Sequence, residues 1–318
     1  MRTRDTSPGN AQCEVGCTPW THAADHAVHG VWTTERADRD PFAPRLWLRF
    51  DKGSAFRVFR GALESASKST TAVLLAAGEG TRLHPFTLDR PKCLVEVAGR
   101  PLLDRTLAAL EAIGITELVL VTGYREDVLH AFLERRASRV RVRCIRNDVY
   151  ASTNNAYSLW TAREAVTGGF VLLDGDLLFE PDVLRKVLET EGDAVLAVER
   201  RSELGEEEMK VLLGPDVTVA AVNKTMDPRE AIGESVGIAR FSASAAAALW
   251  DRLGQQIVAG QRNVYYELAF EALIAEGLPF HIGDVTGLLC MEIDTPDDLA
   301  TAQQLAHRID ARALQSAL

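Results

Sequence analysis

Few cysteines, no long hydrophobic run and no surplus of positive charge mark this chain, and each shortage excludes a class of proteins. Five cysteines are scattered over 318 residues, which is no disulfide framework. The apolar stretches are strand-sized, too short to cross a bilayer as a helix. The opening MRTRDTSPGN has no apolar core, so no secretory leader is expected. Cytoplasm is the expected location. A formal net charge of −10 argues against nonspecific binding to nucleic acid. No internal repeat is evident, and neither a Walker A loop nor the spacing of a dinucleotide fingerprint occurs.

What is present reads as two unlike parts. Residues 1–70 carry ten Lys/Arg and eight Asp/Glu, three of the five tryptophans and three of the seven histidines. They show no sustained periodicity, so a poorly structured N-terminal extension is expected there. Cys13, Cys17, His22, His26 and His29 invite a zinc reading, but their spacing fits no common finger. A short helix or strand over residues 45–66 is left open. Residues 71–318 are acidic, and an acidic protein that binds an anion must concentrate its positive charge locally.

From residue 71 the pattern alternates between strand and helix periods. Strands are expected at 72–77, 117–122, 140–145, 170–173 and 194–199. Helices are expected at 102–113, 126–135, 154–165 and 181–190. That order implies parallel βαβ units with right-handed crossovers. Further on, 211–213 and 217–223 suggest a hairpin, 235–241 and 280–283 strands, 244–259 and 263–275 helices. The last helix is expected at 295–316, where Thr295 can cap, Pro296 suits the first position, and Asp297 and Asp298 suit the first turn. The whole is one α/β domain.

The densest segment is LLAAGEGTRLHPFTLDRPKCLVEVAGRPLL, residues 74–103. An apolar strand opens into Gly78, Glu79 and Gly80, and small residues after a strand expose backbone N–H groups that cradle phosphates. Arg82, after Thr81, and Lys92 then supply fixed positive charge. A nucleoside triphosphate is the expected ligand. Two acids follow at suggestive places. Asp176 comes just past the strand at 170–173, at the sheet edge where α/β ligands bind. Asp294 comes just before the last helix. Asp174 shares a side with Asp176 and is taken as structural.

The string resembles the signature of the sugar-phosphate nucleotidylyltransferase superfamily, GxGTR-L-x-P-x-T followed by PK and a Gly-x-P-Leu stretch. That resemblance implies a Rossmann-like (GT-A-like) nucleotidyltransferase fold, with a mostly parallel central sheet flanked by helices. It also implies nucleotidyl transfer with release of pyrophosphate, with Arg82 and Lys92 as the catalytic cations. Mg²⁺ would be held by Asp176 and Asp294. Residues 147–160, including TNNAYSLW, look like the choline-phosphate and phosphonate cytidylyltransferase branch. So do residues 208–211, Lys224, Gly233 with Glu234, Tyr265–Tyr266–Glu267 and residues 284–287.

By that resemblance the nucleotide, CTP, would lie along Leu75, Ala76, Ala77, Gly78, Glu79, Gly80, Thr81 and Arg82, with Gly123, Tyr124 and Thr153. The acceptor would meet Lys92, Asn155, Lys224, Glu234, Tyr266 and Glu267. Asn154 and Ser158, four apart on a helix, share a face and can read a ligand together, though capping by Ser152 or Thr153 explains part of that string. An amine head group suits aromatic faces beside a carboxylate, while Tyr265 and Tyr266 also read as core aromatics. Glu206–Glu208 reads as a solvated acidic run. The expected partners are CTP and a small phosphate- or phosphonate-bearing acceptor, without nucleic acid or membrane, and a homodimer is left open. The rival readings are a sugar-1-phosphate or inositol-1-phosphate nucleotidylyltransferase and a non-catalytic nucleotide-binding regulatory domain.

Overall fold

The computed structural model describes residues 71–316, so the expectations for residues 1–70, including Cys13, Cys17, His22, His26 and His29, lie outside the described residues. Strand β1 (Thr71–Leu75) is followed by the two-residue strands β2 (Glu96–Val97) and β3 (Arg100–Pro101) and by helix α1 (Leu102–Ile113). Next come β4 (Glu117–Thr122), α2 (Glu126–Arg135), β5 (Arg141–Arg146), α3 (Asn155–Thr161), β6 (Phe170–Asp174), β7 (Leu177–Phe179) and α4 (Pro181–Glu189). The second half holds β8 (Ala194–Arg200), β9 (Lys210–Leu213), β10 (Val219–Asn223), β11 (Gly233–Phe241), α5 (Ala243–Val258) and α6 (Glu267–Ala275). The chain closes with β12 (Phe280–Asp284), β13 (Cys290–Glu292) and α7 (Pro296–Ser316).

The central sheet is mixed and mostly parallel, as the alternation predicted. Strands β6, β1, β4 and β5 run side by side in parallel. The long strand β11 turns the sheet antiparallel. One edge of it pairs with β6 at positions 238–241 and with β9 at 233–234, and its other edge pairs with β8. Strand β8 carries β12 in parallel, and β9 carries β10.

Every residue of β1 is buried, as befits a strand covered on both faces. Side chains alternate across a strand, so Val73, Leu75, Val119 and Val121 face one layer while Ala72, Leu74, Leu118 and Leu120 face the other. Helices α3, α5 and α6 cover the first face, with Phe170, Phe241, Phe270 and Phe280 at its centre. Leu103, Leu107 and Leu110 of α1 and Val183, Leu184 and Val187 of α4 cover the second. Each such fully buried side chain contributes about 2 kcal/mol of transfer free energy. Among the described residues no helix is long and apolar enough to cross a membrane.

Helix α7 starts as its sequence predicted. Asp298 Oδ2 accepts from the backbone N–H of Thr295 at 2.8 Å, and Thr295 Oγ1 accepts from that of Asp298 at 3.2 Å, a reciprocal cap. Several boundaries differ from expectation, three of them instructively. The strand expected at 72–77 ends at Leu75. The helix expected over 154–165 stops at Thr161 and tightens into a 3₁₀ turn at Ala162–Ala165. There Thr161 Oγ1 donates to the Ser158 carbonyl and Arg163 to that of Trp160, and such side-chain bonds compete with the helix ladder. The helix expected from 263 starts at Glu267, because the carbonyls of Arg262 and Val264 instead accept from the N–H groups of Asn154 and Ala156.

Candidate active site

Strand β1 leaves the sheet at Leu75, between β4 and β6, and delivers the loop to the carboxyl edge of the parallel strands. Leu83 is fully buried against α7 residues such as Leu299 and Ala302 and anchors the loop. Gly80 sits at φ 62°, a left-handed backbone that glycine adopts without strain, and its carbonyl accepts from Thr87 Oγ1 at 2.8 Å. Among the described residues, the backbone N–H groups from Gly78 to Arg82 donate to no protein acceptor. Unpaired amides beside positive charge are what a polyphosphate requires.

Strand β7 begins right after Asp176 and β13 ends just before Asp294. The two strands pair antiparallel, with Leu177 opposite Glu292. The Ile293 N–H donates to the Asp176 carbonyl at 3.1 Å, so the two acids meet on a small ribbon. Between them stands the Lys92 ammonium, 2.8 Å from Asp176 Oδ2 and hydrogen-bonded to Asp294 Oδ1. Arg82 reaches the other oxygen of Asp294 at 2.8 Å. All four residues the sequence assigned to catalysis and metal binding thus form one cluster.

Asp176 and Asp294 suit a hard divalent cation. Their carboxylates converge on a single positive charge, and Asp176 Oδ1 is buried without a hydrogen-bond partner. Among the described residues no group of three or more His, Cys, Asp or Glu assembles into a metal site. Two protein carboxylates leave the remaining positions to water and phosphate oxygens, a common arrangement for Mg²⁺.

The cluster opens into a cavity of about 570 Å³. Of the nucleotide candidates, Leu75, Ala76, Ala77, Gly78, Gly80, Thr81, Arg82 and Thr153 line it. Asn155, Lys224, Glu234 and Glu267 of the acceptor candidates also line it, as do Asn154 and Ser158. Asn154, rather than Ser152 or Thr153, caps α3, its side chain accepting from the Asn155 N–H.

Four expected contacts are corrected. Glu79 is exposed and does not line the cavity. Gly123 and Tyr124 lie behind the loop. A Cβ on Gly123 would stand 2.7 Å from the Ala77 carbonyl oxygen and 2.8 Å from the Tyr150 ring, so glycine there serves close packing. The Tyr124 N–H holds the Ala77 carbonyl at 3.0 Å, and its hydroxyl donates to that of Leu88. Tyr266 is core, its ring against Phe270 and its hydroxyl donating to Asp174 Oδ2 at 2.8 Å. The tyrosine at the cavity is Tyr265, with the Lys224 ammonium 5.2 Å from its ring centre.

The structure adds Glu292, which the sequence reading passed over, and brings in Asp174, which it took as structural, and Glu207, which it took as part of a solvated run. Asp174 and Glu292, each two positions before a predicted metal ligand, also line the cavity. Residues two apart on a strand share a face, and that spacing is the signal that marks them. Glu207 is not simply solvated: its carboxylate lies 3.4 Å from the Lys224 ammonium and 4.0 Å from Arg82.

Crowded acids titrate abnormally. Burial would lower the Lys92 pKa, but the charges of Asp176 and Asp294 more than offset it and raise the pKa. Burial tends to raise Asp294, yet Lys92 and Arg82 hold it below the usual carboxylate range. Glu292 is pushed up to about 8, first by burial and then by the charges of Asp176 and Asp294. Burial also lifts Asp174 well above its ordinary value, helped by Asp176, Glu267 and Glu292.

Glu267 is pushed up to about 7 by burial, and this has a testable sign. Its folded pKa exceeds the unfolded one, so the neutral acid favours folding at low pH, and that advantage is lost as pH rises from about 4.5 through about 7. The loss is on the order of 3 kcal/mol for one such group. Metal-free protein melted across pH 5–8.5 is expected to lose stability over that window. Glu267→Gln is expected to flatten the decline; an unchanged slope in the variant would refute the assignment.

Known proteins share this arrangement of sheet and loop. The CMP-5'-(3-aminopropyl)phosphonate synthase of Streptomyces rubellomurinus is 30% identical over 240 residues, 71% of this chain and 37% of that protein. The bifunctional IPC transferase and DIPP synthase of Aquifex aeolicus is 30% identical over 236 residues, 74% of this chain and 51% of that one. The chain therefore spans about a third to a half of the length of these curated relatives. The solved inositol-1-phosphate CTP transferase of T. maritima superposes with a TM-score of 0.65 at 25% identity, over 76% of this chain and 96% of that one. With the open loop, the paired aspartates and a family match running from residue 72 to residue 315, this chain belongs to the MobA-like NTP transferase domain family.

Proposed function

We propose that the chain is a Mg²⁺-dependent cytidylyltransferase that transfers CMP from CTP to a small phosphorylated alcohol or phosphonate and releases pyrophosphate. The observation that carries this reading is Lys92 held between Asp176 and Asp294 at the foot of a loop with unpaired amides. Both substrates are anions, so the protein's task is to align them and neutralise charge. The amides from Gly78 to Arg82 and the Arg82 guanidinium take the β- and γ-phosphates and stabilise the departing pyrophosphate. Lys92 lies where the α-phosphate and the attacking phosphate oxygen meet, and Lys224 takes the acceptor's phosphate. Asp176 and Asp294 would hold Mg²⁺, which when bound would supply charge neutralisation to the phosphates.

The acceptor is assigned by charge. Glu207, Glu208, Glu234 and Glu267 line the same cavity as Lys224 and the face of Tyr265. Carboxylates beside an aromatic face suit an amine or quaternary ammonium, so phosphocholine or an aminoalkylphosphonate is preferred. Inositol-1-phosphate is the second reading, favoured by the named activity of the T. maritima enzyme.

Pyrophosphate release measured with each of four nucleoside triphosphates separates these readings. The acceptor panel is phosphocholine, 2-aminoethylphosphonate, 2-hydroxyethylphosphonate and inositol-1-phosphate. CTP with an amine-bearing acceptor is expected to be fastest. Turnover with UTP or dTTP and a hexose-1-phosphate, and none with CTP, would overturn the proposal. Tight CTP binding without turnover on any acceptor would favour a regulatory domain.

A further inference from the structure

Lys210, the first residue of β9, is only 1% exposed, one of the largest fully buried side chains among the described residues. Burying an ammonium is costly unless its hydrogen bonds are made, and a methionine of similar length would fill the space without that cost. The ammonium makes no ion pair within 4.0 Å among the described residues. It donates to three backbone carbonyls instead, those of Glu206 at 3.2 Å, Glu208 at 3.3 Å and Lys224 at 2.8 Å.

Those three carbonyls belong to two separate segments that both reach the cavity. The first carries Glu207, Glu208 and Met209, and the second carries Lys224 just beyond the end of β10. Lys210 itself lies in register with Asn223 on one side and Glu234 on the other. The Ser235 N–H also donates to the Met209 carbonyl at 2.8 Å. One buried charge thus ties together the loop, the strand end and the neighbouring strand that form the acidic wall. Among the described residues the wall meets the signature loop through the exposed pair of Glu207 and Arg82, 4.0 Å apart, while the loop's own support comes from Thr87, Leu83 and Tyr124.

We propose that Lys210 is the positioning residue of the acceptor wall, setting Glu207, Glu208 and Lys224 at a fixed separation without touching substrate. It rests on the cytidylyltransferase reading for the name of the wall, but not for its mechanical content. Displacement of a binding group by about 1 Å can cost about a hundredfold in rate. Lys210→Met is therefore expected to raise KM for the acceptor by about ten- to a hundredfold, with KM for CTP changed less than about twofold. Amide hydrogen exchange is expected to quicken at residues 205–209 and 224–226 and to stay as in wild type at residues 76–83.

A merely structural lysine would lower the melting temperature and shift both KM values together, and that outcome would overturn the proposal. So would an unchanged acceptor KM. If the methionine variant does not fold, Lys210→Gln, which keeps one donor in the slot, is read by the same two measurements. If the chain turns over no acceptor with CTP, the functional reading fails, while the exchange pattern still decides whether Lys210 fixes these two segments.

Discussion

Asp176→Ala is expected to lower kcat by about a hundred- to a thousandfold or more at saturating CTP and Mg²⁺, the scale of losing one charge-stabilising group in the transition state. The fold is expected to survive. Asp176 stands among Asp174, Glu292 and Asp294, and its charge helps to raise the pKa of Asp174 and Glu292. Its Oδ1 has no hydrogen-bond partner to lose, and the Lys92 ammonium, which loses Oδ2, keeps Asp294 as its counter-charge. Stability without metal should therefore change little, while the stabilisation that Mg²⁺ with CTP gives in a thermal melt should vanish. Turnover near wild type in Mg²⁺ would remove Asp176 from the metal site.

Lys92→Met carries the second large effect, on turnover and on the stability of the free protein. Turnover is expected to fall by about a hundredfold or more, because the phosphates lose a buried positive charge. The free protein is also expected to be destabilised. Lys92, Asp176 and Asp294 are 15%, 25% and 24% exposed in their side chains, so removing the ammonium leaves two mostly buried carboxylates facing each other. Breaking such a pair costs roughly 3 kcal/mol or more. Added Mg²⁺ should then raise the melting temperature of Lys92→Met more than that of wild type, since a divalent cation replaces the missing charge. An equal rise in both proteins would mean that the ammonium and the metal do not share these carboxylates.

The legibility of the site follows from how far apart in the chain its determinants lie. The loop was readable because strand, glycines, Arg82 and Lys92 fall within one short string. Asp176 and Asp294 were readable one at a time, each from its place beside a strand or a helix start. Their meeting was not, since it depends on β7 and β13, which are three residues each and too short to show a period. Tyr265 and Tyr266 could not be sorted by sequence. Which of two adjacent rings turns inward is set by distant partners: Asn155 Oδ1 accepts from the Tyr266 N–H, and Asp174 accepts from its hydroxyl. Gly123 was read as a ligand contact because a glycine that yields to a neighbouring ring looks the same, in sequence, as one that yields to a nucleotide.

The ribbon of β7 and β13 also imposes an order on the birth of the site. Lys92 and Asp294 are 202 positions apart, and Asp294 comes after every other residue that lines the cavity. A nascent chain that has emerged only as far as α6 already holds the complete loop, the first aspartate and most of the sheet. It has no second carboxylate, and β7 has no partner strand. Lys92 therefore lacks its second carboxylate partner until synthesis has passed Asp294.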